Sequence, residues 1–171
     1  MARHFNIAGE LTQELLAPGS NTNVSKISLT NTQKVSKCKV DLYIEKVATG
    51  KFYLLKQVEL PIGATLIYDN IKFSNASNGF GLYIKLTDGA TFTLTGAIDP
   101  TGTNVNVPGS GTAYLSQLSI GDEVVVSSET RVIDAITSDT AATVSVAWGS
   151  DLANDTTPDC NPTALVDVIL Q

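Results

Sequence analysis

The sequence predicts an all-β chain, an N-terminal β-sandwich followed by a small β-barrel-like domain. Three observations predict it. Apolar and polar residues alternate over short runs, as in Cys38-Lys39-Val40-Asp41-Leu42-Tyr43-Ile44-Glu45. Turn-forming clusters of Gly, Pro, Asn, Asp, Ser and Thr interrupt those runs roughly every 8–12 positions, the spacing of sandwiches and barrels. No segment longer than the first twenty or so residues gives a convincing 3.6-residue apolar period.

Residues 1–23 read as an N-terminal arm. A short apolar group, Leu11, Leu15 and Leu16, ends at Ala17-Pro18-Gly19-Ser20-Asn21-Thr22-Asn23, which is loop chemistry. The arm is expected to hold one helical turn or to lie extended on a neighbouring molecule. Removing residues 1–20 is then expected to leave a folded protein that assembles poorly.

Residues 24–97 read as the sandwich. Ile27 and Leu29 alternate with Ser28 and Thr30, and Asn31-Thr32-Gln33-Lys34 turns the chain. Residues 38–46 form a clean strand, and a turn follows at Ala48-Thr49-Gly50-Lys51. Phe52 to Val58 reads as a more buried strand, broken at Pro61-Ile62-Gly63-Ala64. Short strands surround Asp69-Asn70, and Asn75-Ala76-Ser77-Asn78-Gly79 is another turn. Phe80, Leu82, Ile84 and Leu86 then alternate with Gly81, Tyr83 and Lys85, and Asp88-Gly89 is a hairpin signal.

The Gly-, Pro- and Thr-rich stretch Thr95 to Thr103 marks the boundary. Residues 98–171 then restart the β pattern as the small barrel. Ala113–Leu118 continues it, and Ile120-Gly121-Asp122 turns into Glu123-Val124-Val125-Val126. Thr130 to Ile136 forms the next strand, and Ser138-Asp139-Thr140 turns into Thr143 to Trp148. An acidic loop from Asp151 to Asp159 leads to a last strand, Leu165 to Leu170. A domain this small buries only about 60% of its unfolded surface, so packing against another body would help it.

Composition supports a folded chain. Hydrophobic residues make up 43% of the 171, and mean hydropathy is +0.11. No apolar run approaches the ~20 residues of a membrane helix, so no membrane contact is expected. The first residues lack the apolar stretch of a secretory signal, which points to synthesis in a cytoplasm without export by that route. Charge divides unevenly. Residues 1–97 hold ten Lys/Arg against seven Asp/Glu, net +3, and residues 98–171 hold Arg131 against ten acids, net −9. A half with one basic residue is a poor binder of phosphate backbones, so nucleic acid is not an expected partner. Opposite signs would favour head-to-tail contacts between copies, and two solvated faces explain them equally.

Chemistry-bearing patterns are sparse. His4 is the one histidine, badly placed in an arm for a site that needs a rigidly held imidazole. No spacing singles out a carboxylate pair, and no phosphate-binding glycine loop occurs. Cys38 and Cys160 are too far apart in sequence to suggest a disulfide framework, and with one histidine they make zinc an unexpected ligand. Cys38 shares a face with Val40, Leu42 and Ile44 and reads as a buried hydrophobe. Asp151, Asp155 and Asp159 recur every four residues; a solvated acidic loop is the first reading and calcium the second. No enzyme activity, cofactor or metal is expected. Tyr43 and Tyr83 fall on the polar phase of their strands, where they serve either cross-strand packing or partner binding. The residues expected to bind a partner are His4, Phe5, Leu11, Leu15 and Leu16 of the arm, with Tyr43 and Tyr83.

Two stretches carry a resemblance. Residues 107–144 contain Pro108-Gly109-Ser110-Gly111-Thr112, then Leu118-Ser119-Ile120-Gly121-Asp122-Glu123-Val124-Val125-Val126, then Thr130 through Thr140 to Thr143-Val144. They resemble a small β-module that recurs in phage virion proteins, in which Gly-Asp and Ser-Asp-Thr make tight turns around one apolar core. In the first domain, Ile27 to Thr32, Val40 to Ile44, and Tyr53-Leu54-Leu55 to Leu60-Pro61-Ile62-Gly63 resemble small structural proteins of tailed bacteriophages, especially those of marine cyanobacteria. The resemblance covers most of the chain beyond the arm and implies a non-enzymatic virion structural protein. A capsid decoration (cement) protein is the leading expectation, bound to the major capsid protein or other virion proteins as a homo-oligomer or on a symmetric lattice. A head–tail connector, neck or tail accessory protein is the near rival. A host-surface glycan-binding module is a further alternative, and it predicts an exposed Trp148 or tyrosine cluster.

Overall fold

A computed structural model describes residues 2–46, 49–76, 79–152 and 154–171. The described residues form β1 (Arg3–Ala8), β2 (Gln13–Leu16), β3 (Asn23–Val24), β4 (Ile27–Asn31), β5 (Cys38–Lys46), β6 (Gly50–Leu60), β7 (Thr65–Tyr68), β8 (Phe73–Ser74) and β9 (Gly81–Thr87). They continue with β10 (Phe92–Thr93), β11 (Ala97–Ile98), β12 (Asn106–Ser110), the single-turn helix α1 (Tyr114–Gln117), β13 (Glu123–Val126), β14 (Glu129–Ser138), β15 (Ala141–Val144), β16 (Asp159–Asn161) and β17 (Leu165–Leu170). The protein is all-β, in antiparallel sheets, and none of the sheets closes into a barrel.

Two compact units share the chain. Unit 1 holds Met1–Gln33, Lys37–Asp88 and Ala164–Gln171, and unit 2 holds Lys34–Ser36 and Gly89–Thr163. The expected division at residue 97 therefore moves. The chain leaves unit 1 after Asp88 and returns at Ala164, so the last strand belongs with the first domain. Asp88-Gly89 makes no hairpin. The Asp88 carboxylate accepts the Ala164 N–H at 2.6 Å, and the Asp88 N–H donates to Glu10 at 3.0 Å.

Unit 1 is a sandwich of two four-stranded sheets, β1-β17-β4-β7 and β2-β9-β5-β6, with β3 and β8 paired beside them. Alternation aims one face of each sheet inward. Ile7, Ile27, Leu29, Val166, Val168 and Leu170 come from the first sheet. Leu15, Leu16, Val40, Leu42, Leu82, Ile84 and Leu86 come from the second, and all join one core.

The expected arm is part of this sandwich. Six residues of β1 pair in unbroken register with β17, from Arg3↔Leu170 to Ala8↔Leu165, and β2 pairs with β9. Two strands that each need a distant partner look like a tail in sequence, because Asn6 and its β17 partner Asp167 are 161 residues apart and Glu14 and its β9 partner Tyr83 are 69 apart. Buried Asn75 then pins the loop after β2, accepting the Thr22 N–H at 2.9 Å and donating to the Ala17 carbonyl at 2.8 Å.

Unit 2 is one curled sheet in the order β10-β16-β13-β14-β15-β12-β11. Its two edge strands lie three residues apart in sequence, so Leu94–Gly96 spans the opening between them and the expected barrel stays an open roll. The long β14 serves both halves, pairing with β13 over its first residues and with β15 over its last. Register shifts between Ile133 and Ala135 and between Ile136 and Ser138 bend it, as bulges do. Ser127 and Ser128 make the two-residue β13–β14 turn with φ of 48° and 72°, the left-handed pair that a primed hairpin turn requires. The predicted Gly121-Asp122 turn is present. Buried Asp122 holds it by accepting the Ser119 N–H at 2.8 Å and the Thr163 N–H at 2.9 Å. Ala113–Leu118, expected as strand, contains α1, whose Leu115 N–H donates to Asp139 at 3.0 Å. Of the predicted turns and loops, Ala48, Ser77, Asn78 and Ala153 lie outside the described residues.

Candidate functional site

The outer face of the β2-β9-β5-β6 sheet carries a row of tyrosines. On β5, Val40 and Leu42 point to the core, so Tyr43 points out. Register sets Tyr43 opposite Tyr83 of β9 and opposite Tyr53 of β6. The Tyr43 and Tyr83 rings stack with centroids 5.7 Å apart and planes 20° apart. Tyr43 and Tyr53 meet at 5.5 Å and 51°. Such tilted and offset pairs suit the ring quadrupole.

Two irregularities in β6 make the third member possible. Val40 pairs with Val58 but Leu42 with Leu55, and Tyr43 then pairs with Tyr53. Each adds one residue to β6, so the two cancel in phase but shift the register by two, which sets Tyr53 rather than Leu55 opposite Tyr43. At the first irregularity Gln57 takes φ of 52°, and its N–H donates to Asp41 at 2.6 Å. Simple alternation along 52–58 cannot show this.

Lysines cover the rings. Lys51 Nζ lies 4.4 Å from the Tyr43 centroid and donates to the Tyr43 hydroxyl at 3.2 Å. That hydrogen bond holds the Lys51 ammonium above its ordinary pKa. Lys56 Nζ lies 4.9 Å from the Tyr53 ring. Together these neighbours leave Tyr43 only 1% exposed although it faces away from the core. Tyr83 lies flat over Gly81, where an added Cβ would fall 2.7 Å from the ring. Its hydroxyl donates to Glu14 at 3.3 Å, and desolvation first, then the Glu14 charge, raises its pKa. On the opposite face of the sheet, where Phe52 pairs with Ile44, Phe52 and Phe80 meet edge to face at 5.8 Å.

The row has two unlike ends. At the β6 end Tyr53 is 43% exposed, and its neighbour Phe52, which faces the other side of the sheet with Ile44, is 52% exposed. At the β9 end a cleft of about 340 Å³ opens, lined by Thr12, Pro18, Tyr43, Glu45, Lys51 and Tyr83.

The structure thus joins Tyr43 and Tyr83 and separates the other expected partner contacts. His4 is exposed on β1, and Phe5 is half-buried against the core. Leu11 is 78% exposed and fits a contact role by position alone. Leu15 and Leu16 do not fit one, since both are buried core residues of β2. Tyr53, Lys51, Lys56, Phe52 and Glu14 escaped the sequence reading.

The remaining chemical candidates are used structurally. Asp151 accepts the Gly102 N–H at 2.6 Å. Asp155 accepts those of Ser127 and Thr157, each at 2.9 Å, and Asp159 accepts the Thr93 hydroxyl at 2.8 Å. The three carboxylates serve different loops, and among the described residues no cluster of three or more His, Cys, Asp or Glu side chains is arranged to hold a metal. The calcium reading of this loop therefore has no geometric support. Trp148 is 1% exposed, donates to the Asn106 carbonyl at 3.0 Å, and lies under Arg131, which also pairs with Glu129. It is a core residue, with no face left for a ligand. Burial pushes the Cys38 thiol up to about 11 and raises that of Cys160 as well, so neither supplies thiolate at neutral pH. Set beside protein-family models, curated proteins and solved structures, the chain matches none.

Proposed function

We propose that this chain is a non-enzymatic structural protein of a phage virion that acts by protein–protein contact, with capsid decoration as its leading role. The supporting observation is the β6 end of the tyrosine row. Tyr53 stands exposed on the outer face beside stacked, lysine-covered rings, and Phe52 stands exposed on the other face of the same edge strand, braced by Phe80. Rigid exposed aromatics are the side chains that concentrate binding energy at protein interfaces. The irregular backbone and lysines of β6 also discourage open-ended strand pairing, so this edge offers side chains to a partner. The resemblance to small virion proteins points the same way.

The test is to locate the chain in a cryo-EM map of the purified particle. Density on the shell at hexamer or trimer positions, with β6 facing the capsid protein, is the expected result. Density confined to the neck or tail would replace decoration by a connector role. Absence from the particle would overturn the virion reading.

A further inference from the structure

We propose that the cleft at the β9 end of the tyrosine row is a carbohydrate site that takes a neutral pyranose. Its floor and wall are apolar: Tyr83 lies flat on the sheet, and Pro18 stands beside it. Its rim is polar and mixed. Glu45 supplies an acceptor, Lys51 a donor, and Thr12 and Tyr83 hydroxyls that do both. A sugar ring has the matching chemistry, an axial face of C–H groups that rests on an aromatic ring and an edge of hydroxyls that both donate and accept.

Charge removes the competing ligand classes. A cation is disfavoured because Lys51 Nζ already occupies the face of Tyr43 at 4.4 Å. An anion would meet Glu45 in the lining and Glu14, which accepts from the Tyr83 hydroxyl. One lysine between two carboxylates does not make a phosphate site. The volume, about 340 Å³, lies at the small end of the range of ligand clefts, roughly 300–1,000 Å³, and suits one or two rings. The site is also preorganised. Gly81 leaves room for Tyr83 to lie flat, and Tyr43 stacks against it before any ligand arrives. This function is separate from docking at Phe52 and Tyr53 and holds whether or not that docking occurs.

The experiment is a heteronuclear NMR titration of the full chain with maltose, cellobiose, methyl galactoside, methyl mannoside and N-acetylglucosamine, with glycerol as control. The expected result is saturable shifts from at least one sugar, with a Kd on the order of 1–10 mM. The shifts should fall on amides of residues 12–18, 43–51 and 81–83. Lys51→Ala and Glu45→Gln alter side chains at the rim and should keep the folded spectrum while weakening binding about tenfold, a loss of about 1.4 kcal/mol each. Tyr83→Ala should abolish it. The proposal is overturned if no sugar saturates, if glycerol reproduces the shifts, if they map elsewhere, or if binding survives both rim variants unchanged.

Discussion

Both units fasten backbone with carboxylates, Asp41 and Asp88 among them in unit 1, but only unit 1 also lays cations over a row of aromatic rings. Outside its core, unit 1 sets charges against side chains: Lys51 and Lys56 over tyrosines, Lys46 near Phe80, Lys37 paired with Glu59. Unit 2 spends its acids on its own backbone. Asp122, Glu129, Asp139, Asp151 and Asp155 each accept main-chain N–H groups in turns and loops. With Lys34 and Arg131 against nine acids, unit 2 carries net −7, while unit 1, with nine bases and eight acids, carries +1. The difference teaches that net charge is a poor guide to a binding surface. The strongly acidic unit uses its carboxylates as loop fasteners, and the nearly neutral one has the organised outer face.

The largest expected effect separates the units. Deleting residues 1–20 removes β1, most contacts of β17's outer edge, and the core residues Ile7, Leu15 and Leu16. Each buried leucine or isoleucine alone contributes about 2–5 kcal/mol, so their joint loss rivals the whole stability of an ordinary domain, about 5–15 kcal/mol. Unit 1 should lose its dispersed NMR signals. A truncated protein with the native spectrum would restore the arm reading.

Next comes the fastener idea. Asp155→Ala leaves the Ser127 and Thr157 N–H groups without their acceptor. It should cost about 1–3 kcal/mol in chemical denaturation, because a carboxylate accepting two backbone bonds is charge-assisted. Lys56→Ala on the outer face of unit 1 should cost under about 1 kcal/mol by the same assay. Equal costs would erase the contrast between fastening backbone and covering rings.

Gly81→Ala tests the row itself. The new Cβ displaces the Tyr83 ring, so a cost of about 1–2 kcal/mol is expected. The Tyr83 ring resonances should move, and those of Tyr43 should follow as its cover is lost. Unchanged ring shifts would mean that Gly81 does not hold Tyr83 in place.

The smallest effect at neutral pH concerns Tyr114. Its hydroxyl is the one buried side-chain polar atom among the described residues without a well-formed hydrogen bond. Burial pushes the phenol up to about 12. The folded value lies above the ordinary 10, so the unfolded chain ionises first and stability falls as pH rises from about 10 to about 12. Tyr114→Phe should be neutral within about 1 kcal/mol at pH 7 and gain on the parent in that alkaline window. Parallel pH profiles in denaturant melts would contradict the burial argument.

What the sequence revealed follows the range of the interactions. Strands β5 and β9 were legible because Val40, Leu42, Leu82, Ile84 and Leu86 alternate on their own. The Gly121-Asp122 turn was legible because its residues dictate its geometry. Strand β1 was not, since Phe5 and Ile7 are too few to mark a strand and its partner sits at the other end of the chain. The Ser127-Ser128 turn lacks the Asn-Gly pair that advertises such turns. Tyr43 and Tyr83 could be found by phase, whereas Tyr53 reaches the row only through the irregularities of β6. Leu15 and Leu16 looked like contact residues because nothing local shows that β9 covers them.

The position of β17 has a consequence for synthesis. It lies between β1 and β4, inside its sheet, yet its residues leave the ribosome after all the other strands. Until then β1 and β4 have no central partner, and unit 1 waits with open strand edges. Most of unit 2, residues 89–163, is by then already made. Folding therefore closes on long-range pairing, the slow kind, and the nascent first unit is the stage most exposed to aggregation.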